Sequence, residues 1–348
     1  MAFFKKSNGV GIGIDLGTSN IVVLQSEKGI IFDEPSCVAV RKMPRGGQEV
    51  IAFGREAKSM IGKTPVGVTV IKPLRDGVIA NFDMTEAVLH HFIGRACALG
   101  HFTNPQVVVS VPAKVTEVER RAVIDAALGA GAREAYIVDE PIAAALGAGL
   151  PINDPEGSMV LDIGSGTSEV AVISLGGLVV SNSLRAAGDN MDEAIIALFR
   201  QKHALLIGEC TAENVKVSIG SVIPLKEELE MEVKGRDLAD GLPKVTRVSS
   251  VEVRDALTPI IARIEDMIKV ALEQTPPELS RDIVDNGIVL TGGGSLLRGL
   301  PQKLTKVLNA PVILSENPLH AVANGMGLTL QNLGEMKRIL TTVHRTSL

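Results

Sequence analysis

Apolar residues occur along this chain in two patterns, short continuous runs and longer stretches with helical spacing. The run at 107–111 (VVVSV) is typical of a strand covered on both faces. Residues 84–98 and 251–274 carry apolar positions three and four residues apart, which predicts amphipathic helices. Strand and helix patterns alternate from 107 to 146. We therefore expect an α/β fold in which mixed sheets are flanked by helices.

Local signals predict where several helices begin and end. Thr116 precedes an apolar-periodic stretch and Glu119 follows three residues later, which predicts a capping box. This helix is expected to stop at Gly129. Further helices are predicted at 191–206, at 211–221 with Thr211 as its N-cap, from near Leu296, and at 319–331.

Two stretches repeat one pattern: a strand that ends in aspartate, a tight turn of Gly, Ser and Thr, and a second strand. They are residues 15–20 (DLGTSN) and 162–168 (DIGSGTS). Backbone N–H groups and hydroxyls of such turns suit phosphate oxygens, because glycine leaves the approach open. A single hairpin of this kind is common in sheet proteins. Two copies indicate two related halves that face each other across a cleft and bind the same polyphosphate.

Asp15 and Asp162 stand at the strand ends of these hairpins. A carboxylate held there suits hydrated magnesium, which keeps most of its waters and takes one or two carboxylates. We therefore predict a magnesium-bound triphosphate as the ligand. A third glycine-rich turn, 292–295, follows an apolar run. It is either a further ligand-binding turn at a helix start or an ordinary strand-to-helix turn.

Three charged residues allow two interpretations each. Glu140 lies between a strand and Pro141. It either stabilises a helix start or orients a water toward a terminal phosphate. Glu213 and Lys216 lie one helical turn apart, and their spacing alone indicates no more than a surface pair.

Composition narrows the possible functions. The 348 residues are 45% hydrophobic but include only eight Phe, one Tyr and no Trp, so the core must be aliphatic. A net charge of −5 argues against general nucleic-acid binding, which needs a concentrated basic face. Three widely separated cysteines, Cys37, Cys97 and Cys210, predict no zinc site or disulfide and favour a reducing compartment. The chain shows neither a secretory signal nor a membrane-spanning apolar run.

A polar stretch at 151–157 marks the main predicted boundary. Each half is expected to carry a smaller inserted subdomain, and the last predicted helix, 319–331, is expected to pack back on the first half. The predicted ranges are 1–150 for the first half with its insertion at about 33–75, and 151–348 for the second half with its insertion at about 189–250.

The glycine-rich motifs, together with segments such as 118–122, 139–141, 188–196, 234–238 and 275–279, resemble the ATPase superfamily of actin, the sugar kinases and the heat-shock chaperones. Within it, nearly the whole chain is similar to the bacterial actin family of MreB and Mbl. The resemblance implies an actin-like ATPase fold with nucleotide in the central cleft. It also implies ATP or ADP with Mg²⁺ as ligands, and slow ATP hydrolysis coupled to polymerisation.

The resemblance further implies roles for individual residues. Glu140 would place the hydrolytic water, Thr167 would sense the γ-phosphate, and Asp15 and Asp162 would hold Mg²⁺ through water. The residues implied to bind nucleotide are Gly17, Thr18, Ser19 and Asn20 in the first turn, Gly164, Ser165, Gly166 and Thr167 in the second, Glu213, Asn214, Val215 and Lys216 at the purine and ribose, and Gly292, Gly293, Gly294 and Ser295 in the adenosine loop.

Three positions depart from the family pattern. Ser165 replaces the middle glycine of the second turn, so we expect strain there if the turn requires a positive φ. Ser19 stands where the family usually has Ala, and Ala113-Lys114 where it usually has Ser-Gly. Nucleotide binding is expected to survive all three changes.

The family resemblance implies filaments at the inner face of the cytoplasmic membrane that maintain rod cell shape by organising cell-wall synthesis. Rod-complex membrane proteins are the implied partners. Phe3, Phe4 and Phe102 are predicted to contact lipid; the alternative is a frayed terminus and a Phe packed in the core. Val118 is predicted to pair antiparallel protofilaments, and its alternative is a core-facing valine.

Two other functions compete with this reading. A small-molecule kinase of the same superfamily would need a catalytic aspartate base and a substrate pocket, and no motif indicates either. A chaperone would need a peptide-binding domain after the ATPase core, which is not expected in this chain of 348 residues.

Overall fold

The computed structural model describes residues 11–44, 46–101, 103–336 and 339–342. Its strands are β1 (Gly11–Leu16), β2 (Asn20–Gln25), β3 (Gly29–Pro35), β4 (Val38–Lys42), β5 (Gln48–Phe53), β6 (Val68–Ile71), β7 (Leu74–Arg75), β8 (Val78–Ile79), β9 (Gln106–Val111), β10 (Glu134–Asp139), β11 (Ser158–Ile163), β12 (Ser168–Ser174), β13 (Gly177–Leu184), β14 (Leu205–Leu206), β15 (Glu230–Asp237), β16 (Pro243–Ser249), β17 (Ile288–Thr291), β18 (Val312–Leu314) and β19 (Thr341–Thr342).

The helices are α1 (Gly54–Ser59), α2 (Phe82–Gly100), α3 (Glu117–Gly129), α4 (Glu140–Gly147), α5 (Gly188–Lys202), α6 (Glu209–Ile219), α7 (Ser250–Gln274), α8 (Pro277–Asn286), α9 (Leu300–Leu308), α10 (Ala321–Gln331) and α11 (Leu333–Met336). Short 3₁₀ turns lie at Gly293–Leu296 and Pro318–His320. Among these described helices, none is long and apolar enough to cross a membrane.

The chain divides into two compact units. The first contains the chain up to Glu156, residues 173–178, and the chain from Leu319 onward. The second contains residues 157–172 and 179–318. The half boundaries inferred from the sequence stay predictions.

The first unit is built on a six-stranded sheet in the order β19-β10-β9-β1-β2-β3. Strands β1, β9 and β10 are parallel, whereas β2 pairs antiparallel with both β1 and β3. Ile12, Val109 and Phe92 belong to its aliphatic core. Because parallel strands end at the same edge of a sheet, Asp15 of β1 and Glu140, directly after β10, lie along one edge.

Helix α10 packs against α4 and β1 within this unit. Glycines make the helix contact close, since a Cβ added at Gly325 would overlap the carbonyl of Ala143, and one at Gly147 would overlap the backbone of α10. Gly11 and Gly13 of β1 face the same helix. The alternating glycines of β1 therefore permit close helix packing.

The second unit is built on a five-stranded sheet in the order β13-β12-β11-β17-β18. Strands β11, β17 and β18 are parallel. Asp162 is the penultimate residue of β11 and Thr291 the last residue of β17, so both lie at the same edge of the sheet. Met159, Phe199 and Ile264 belong to its core. The predicted fold class, mixed sheets flanked by helices, is confirmed.

Each predicted insertion contains a small antiparallel sheet. Strands β5-β4-β6 lie within 33–75 and enclose a small core that includes Cys37 and Ala52. Strands β14-β15-β16 lie within 189–250. The limits of both insertions stay predictions.

The predicted helix ends have mixed outcomes. The capping box is confirmed: Thr116 N–H donates to the Glu119 carboxylate at 2.7 Å, and Glu119 N–H donates to the Thr116 hydroxyl at 3.2 Å. The predicted helix at 191–206 is wrong at its end, because α5 stops at Lys202 and Leu205–Leu206 pair with β15 instead. Thr211 is not an N-cap, since α6 begins earlier, with Gly208 as its N-cap.

Candidate functional site

The first candidate phosphate turn joins β1 to β2. A Cβ at Gly17 would lie 2.7 Å from the Asn20 backbone oxygen, so a side chain at this position would force the turn to shift. Thr18 is buried, and its hydroxyl oxygen accepts the Gly77 N–H at 3.1 Å, which leaves the hydroxyl proton for another acceptor. The exposed Asn20 donates its side-chain amide to Asp33 Oδ1 at 2.9 Å. The turn thus offers donors at the edge of the sheet.

Asp15 is half-buried at the end of β1. The Ser110 hydroxyl donates to Asp15 Oδ1 at 2.9 Å, and the two residues are register partners in the parallel pair β1–β9. Nothing local in the sequence indicates this contact, because Ser110 belongs to a separate strand in an apolar run.

Glu140 is half-buried as the first residue of α4, directly after the N-cap Asp139. Arg120 of α3 forms an ion pair with Asp139 at 2.6 Å and donates to the Ala113 carbonyl at 3.3 Å. Burial raises the pKa of Asp139, and the Arg120 hydrogen bond offsets part of that rise. The ion pair therefore ties α3 to the strand end that carries Glu140. The spacing of Arg120 and Asp139 does not indicate this contact.

The second candidate phosphate turn is closed by Gly164 N–H, which donates to the Thr167 carbonyl at 2.9 Å. Ser165 is not among the described residues with positive φ, so the condition for strain at this position is not met. The start of α5 packs directly on the turn. Gly188 N–H donates to the Gly164 carbonyl at 3.2 Å, and Asp189 N–H donates to the Ser165 carbonyl at 2.7 Å.

Asp162 is only 7% exposed. The Thr291 hydroxyl donates to Asp162 Oδ1 at 2.6 Å, and these residues are register partners in the parallel pair β11–β17. Burial raises the pKa of Asp162, and the Thr291 hydrogen bond offsets part of that rise. Thr167, at the other end of the turn, is also buried.

The third glycine turn lies against the second phosphate hairpin. Gly292 has a φ of +79°, and a Cβ there would overlap the Ile163 carbonyl; a Cβ at Gly294 would overlap the Ile163 side chain. Ser295 is buried, and its hydroxyl donates to the Gly292 carbonyl at 2.6 Å. Gly293 is exposed. The glycines of this turn therefore allow its backbone to pack directly on Ile163 of the second phosphate hairpin.

The prediction of a helix from near Leu296 is wrong. A 3₁₀ turn ends at Leu296, Leu297 is extended, and α9 begins at Leu300 after Gly299, whose φ is +79°. Helix α9 does not start earlier because Gly299 is left-handed and Pro301 favours the first helical turn. The glycine turn is therefore not the N-terminus of a long helix.

Helix α6 carries Lys216 toward the second phosphate turn. Its ammonium donates to the Gly188 carbonyl at 2.8 Å and to Asp192 Oδ2 at 2.9 Å. The interpretation of Lys216 as half of a surface pair with Glu213 is therefore wrong, because its ion-pair partner is Asp192 and both side chains are largely buried. Burial raises the pKa of Asp192 to about 6, although Lys216 lowers it.

The other predicted residues of α6 differ in exposure. Glu213 is half-buried and Asn214 is exposed, where it accepts a hydrogen bond from Ser218 at 3.2 Å. The Val215 side chain is part of the core, so any contact it makes with a ligand would come through its backbone.

Each unit offers one strand-end carboxylate with a hydroxyl partner. In the described ranges no three His, Cys, Asp or Glu side chains are grouped closely enough to enclose a metal ion. A single carboxylate in each unit fits Mg²⁺, which keeps most of its water ligands.

The predicted contact surfaces are only partly within the described chain. Phe3, Phe4 and Phe102 lie outside the described residues. Leu99, near the end of α2, is 54% exposed. Val118 of α3 is 79% exposed, so the alternative of a core-facing valine is wrong.

Comparison with known proteins gives concordant matches over most of the chain. Residues 9–338 match the family model described as MreB/Mbl protein. The chain is 44% identical over 327 residues to the cell shape-determining protein Mbl of Bacillus subtilis (strain 168), covering 94% of this chain and 97% of that protein. It is 48% identical over 322 residues to the cell shape-determining protein MreB of Escherichia coli (strain K12), covering 92% and 93%.

Solved structures give a similar result. The structure of MreB5 of Spiroplasma citri bound to ADP has a TM-score of 0.89 and 36% identity, covering 95% of this chain and 98% of that one. The same protein bound to AMPPNP also has a TM-score of 0.89. The fold expected from the resemblance is confirmed by these matches.

Proposed function

The chain belongs to the MreB/Mbl family and is an actin-like cytoskeletal protein, and from this premise we propose that it forms filaments in an ATP-dependent manner. The filaments assemble on the inner face of the cytoplasmic membrane. There they maintain rod cell shape by organising cell-wall synthesis together with rod-complex membrane proteins.

The observation that carries the nucleotide part of this proposal is the repeated strand-end aspartate, Asp15 in one unit and Asp162 in the other, each beside a turn rich in donors. The turn residues 17–20 and 164–167 bind the phosphates. Residues 213–216 and 292–295 bind the purine and ribose. The S. citri relative supports the binding of an adenine nucleotide, since its structures contain ADP or AMPPNP. Magnesium, when bound, offsets the negative charge of the phosphates.

We further propose that the protein hydrolyses ATP slowly. Glu140, at a fixed strand end, accepts a hydrogen bond from the attacking water and orients it, and the Thr167 hydroxyl donates to the terminal phosphate. Phosphoryl transfer depends mostly on positioning and charge stabilisation, so one oriented acid beside the bound phosphates suffices for a slow reaction. The ion pair of Arg120 with Asp139 supports a fixed position for the neighbouring Glu140.

Assembly uses the surface of the first unit. The exposed Val118 is proposed to pair protofilaments, because an apolar side chain that is 79% exposed gains by burial against a second subunit. The antiparallel orientation of the pair is what the family resemblance implies. Phe3, Phe4 and Phe102 are proposed to bind the membrane surface. A few apolar side chains bind weakly alone, but a filament multiplies them.

One experiment tests the core of the proposal. Purified protein is mixed with ATP and magnesium, and light scattering, free phosphate and electron micrographs on a lipid layer are recorded. We expect filaments and slow phosphate release. Phosphate transfer to an added small-molecule acceptor, without scattering, would favour the kinase alternative. Absence of ADP and ATP binding in calorimetry would overturn the proposal.

A further inference from the structure

Each strand-end aspartate accepts a hydrogen bond from a residue that is distant in sequence and lies on a neighbouring strand. In each unit, a hydroxyl on the neighbouring parallel strand donates to Oδ1 of the aspartate: Ser110 to Asp15 at 2.9 Å and Thr291 to Asp162 at 2.6 Å. In each unit the donor is the direct register partner of the aspartate. The same device therefore occurs twice, on two separate sheets.

The two hydroxyls stand in surroundings that do not favour polar groups. Ser110 is 1% exposed and Thr291 is 0% exposed, and both belong to strands that are otherwise largely Val, Ile and Leu. A buried hydroxyl without a partner costs free energy, so each of these depends on its aspartate. A hydrogen bond to a carboxylate is also stronger than one between neutral groups.

The geometry restricts the carboxylates. Register partners on parallel strands project to the same face of the sheet, so a β-hydroxyl reaches the neighbouring carboxylate without bending either strand. Once Oδ1 accepts this bond, rotation of the carboxylate about its Cβ–Cγ bond is restricted. The direction of Oδ2 at the sheet edge is then set as well.

We propose that Ser110 and Thr291 are positioning residues that orient Asp15 and Asp162 toward the waters of a nucleotide-bound magnesium ion. This inference rests on the proposed binding of magnesium nucleotide. Its specific consequence is that the two hydroxyls govern the gain in nucleotide affinity that magnesium provides, and leave the magnesium-independent affinity unchanged. Residues that hydrogen-bond to a metal ligand commonly change the affinity for the metal when they are mutated.

The test uses calorimetry with ADP on the full chain, once with magnesium and once with EDTA. The measured quantity is the dissociation constant in EDTA divided by the dissociation constant with magnesium, which is the gain in affinity that magnesium provides. Thr291→Val keeps the shape of the side chain and removes the hydroxyl, and we expect the ratio to fall about 10-fold. Ser110→Ala should lower it by about 3-fold, because the half-buried Asp15 can take a water in place of the hydroxyl.

Two further variants separate positioning from folding. Thr291→Ser retains a hydroxyl and should restore the wild-type ratio. Thr275→Val removes another buried hydroxyl of the same unit, one that donates to the Ala271 carbonyl at 2.7 Å, and should leave the ratio unchanged. If Thr291→Val does not fold, Ser110→Ala, which removes a single oxygen, decides the question.

The outcomes are distinguishable. A wild-type ratio in folded Thr291→Val and Ser110→Ala would overturn the inference and leave the proposed function intact. Equal weakening with magnesium and with EDTA would indicate a structural role only, and would also overturn it. If the wild-type chain binds no ADP under either condition, the proposed function and this inference both fail.

Discussion

The two phosphate hairpins have the same sequence pattern but different surroundings. The first turn contacts Gly77 and Asp33, and its aspartate, Asp15, is half-buried. The second is enclosed by the start of α5 and by the glycine turn packed on Ile163, and Asp162 is only 7% exposed. A repeated motif thus specifies a turn and an acid, whereas the neighbouring elements decide how far that acid is removed from water.

The two units also carry different candidate catalytic residues. The edge of the first sheet carries Glu140, the candidate acid that orients water, and the second turn carries Thr167, the candidate sensor of the γ-phosphate. We propose that the first unit supplies the residue that orients the hydrolytic water, and that the second unit contributes more of the binding affinity for the phosphates. The following experiments test that division.

The largest expected effect is on the rate of ATP hydrolysis, and it separates the role of Glu140 in hydrolysis from the role of Thr167 in ATP binding. Glu140→Ala should lower the rate of phosphate release by about 100-fold, because an oriented acid is lost, and leave ATP affinity nearly unchanged. Thr167→Ala should weaken ATP about 10-fold relative to ADP, since it removes a hydrogen bond to a charged oxygen. A phosphate-release assay measures the rate, and calorimetry measures the affinities for ATP and ADP. Glu27→Ala, which changes an exposed glutamate of the first unit, is the control. A wild-type rate in Glu140→Ala would remove the hydrolytic step from the first unit.

The second effect concerns backbone crowding in the first hairpin and in the glycine turn that packs on the second hairpin. Gly292→Ala should lower the free energy of unfolding by about 3 kcal/mol, because it combines a positive φ with overlap of Ile163. Gly17→Ala should cost about 1 kcal/mol, since only the Asn20 oxygen must shift. Urea unfolding measures both. Gly29→Ala has a φ of +76° in open space and isolates the contribution of φ alone. Equal losses in all three would contradict the view that the second hairpin is the more enclosed.

The third effect is a difference in pH dependence. Burial raises the folded-state pKa of Asp192 to about 6, above its ordinary value of 3.8. The folded protein holds that proton more tightly, so the stability due to this group is full below 3.8 and is lost as pH rises through about 6. Asp192→Asn should flatten the unfolding free energy between about pH 4 and 7, by on the order of 2 kcal/mol.

Asp33, beside the first hairpin, provides the opposite case. Burial raises its pKa, but hydrogen bonds from His320 and Asn20, together with the charges of His320 and Arg55, outweigh burial and lower the pKa below 3.8. Its stabilisation is therefore present above 3.8 and lost only as pH falls further. Asp33→Asn should change the acid end of the stability profile. A flattening between pH 4 and 7 in Asp33→Asn but not in Asp192→Asn would reverse the comparison.

The smallest effect on the isolated chain comes from the surface. Val118→Glu should leave the free energy of unfolding within about 0.5 kcal/mol of wild type, because the side chain is exposed. Electron micrographs should nevertheless show single filaments in place of pairs. Val284→Glu is the matched control, as Val284 is a 57% exposed helical valine of the second unit. Loss of pairs in both variants, or in neither, would contradict the assignment of pairing to the first unit.

Local signals in the sequence were sufficient for much of the fold. The alternation of strand and helix, the capping box at Thr116 and both aspartate turns depend on residues within a few positions of each other, and the structure contains all of them. The local signals are insufficient where a contact comes from a residue far away in the sequence. Leu205–Leu206 pair with β15 and do not continue the predicted helix. Lys216 forms an ion pair with Asp192 on another helix.

The amino-acid sequence alone establishes the fold class, the two hairpins and their aspartates, because spacing along the chain controls turns, caps and periodic faces. The hydroxyl partners Ser110 and Thr291 follow only from the register of parallel strands, which brings together residues far apart in sequence. The close pairing of α4 with α10 through Gly147 and Gly325 has the same origin. Such contacts arise when whole elements pack, and no local pattern encodes which elements will meet.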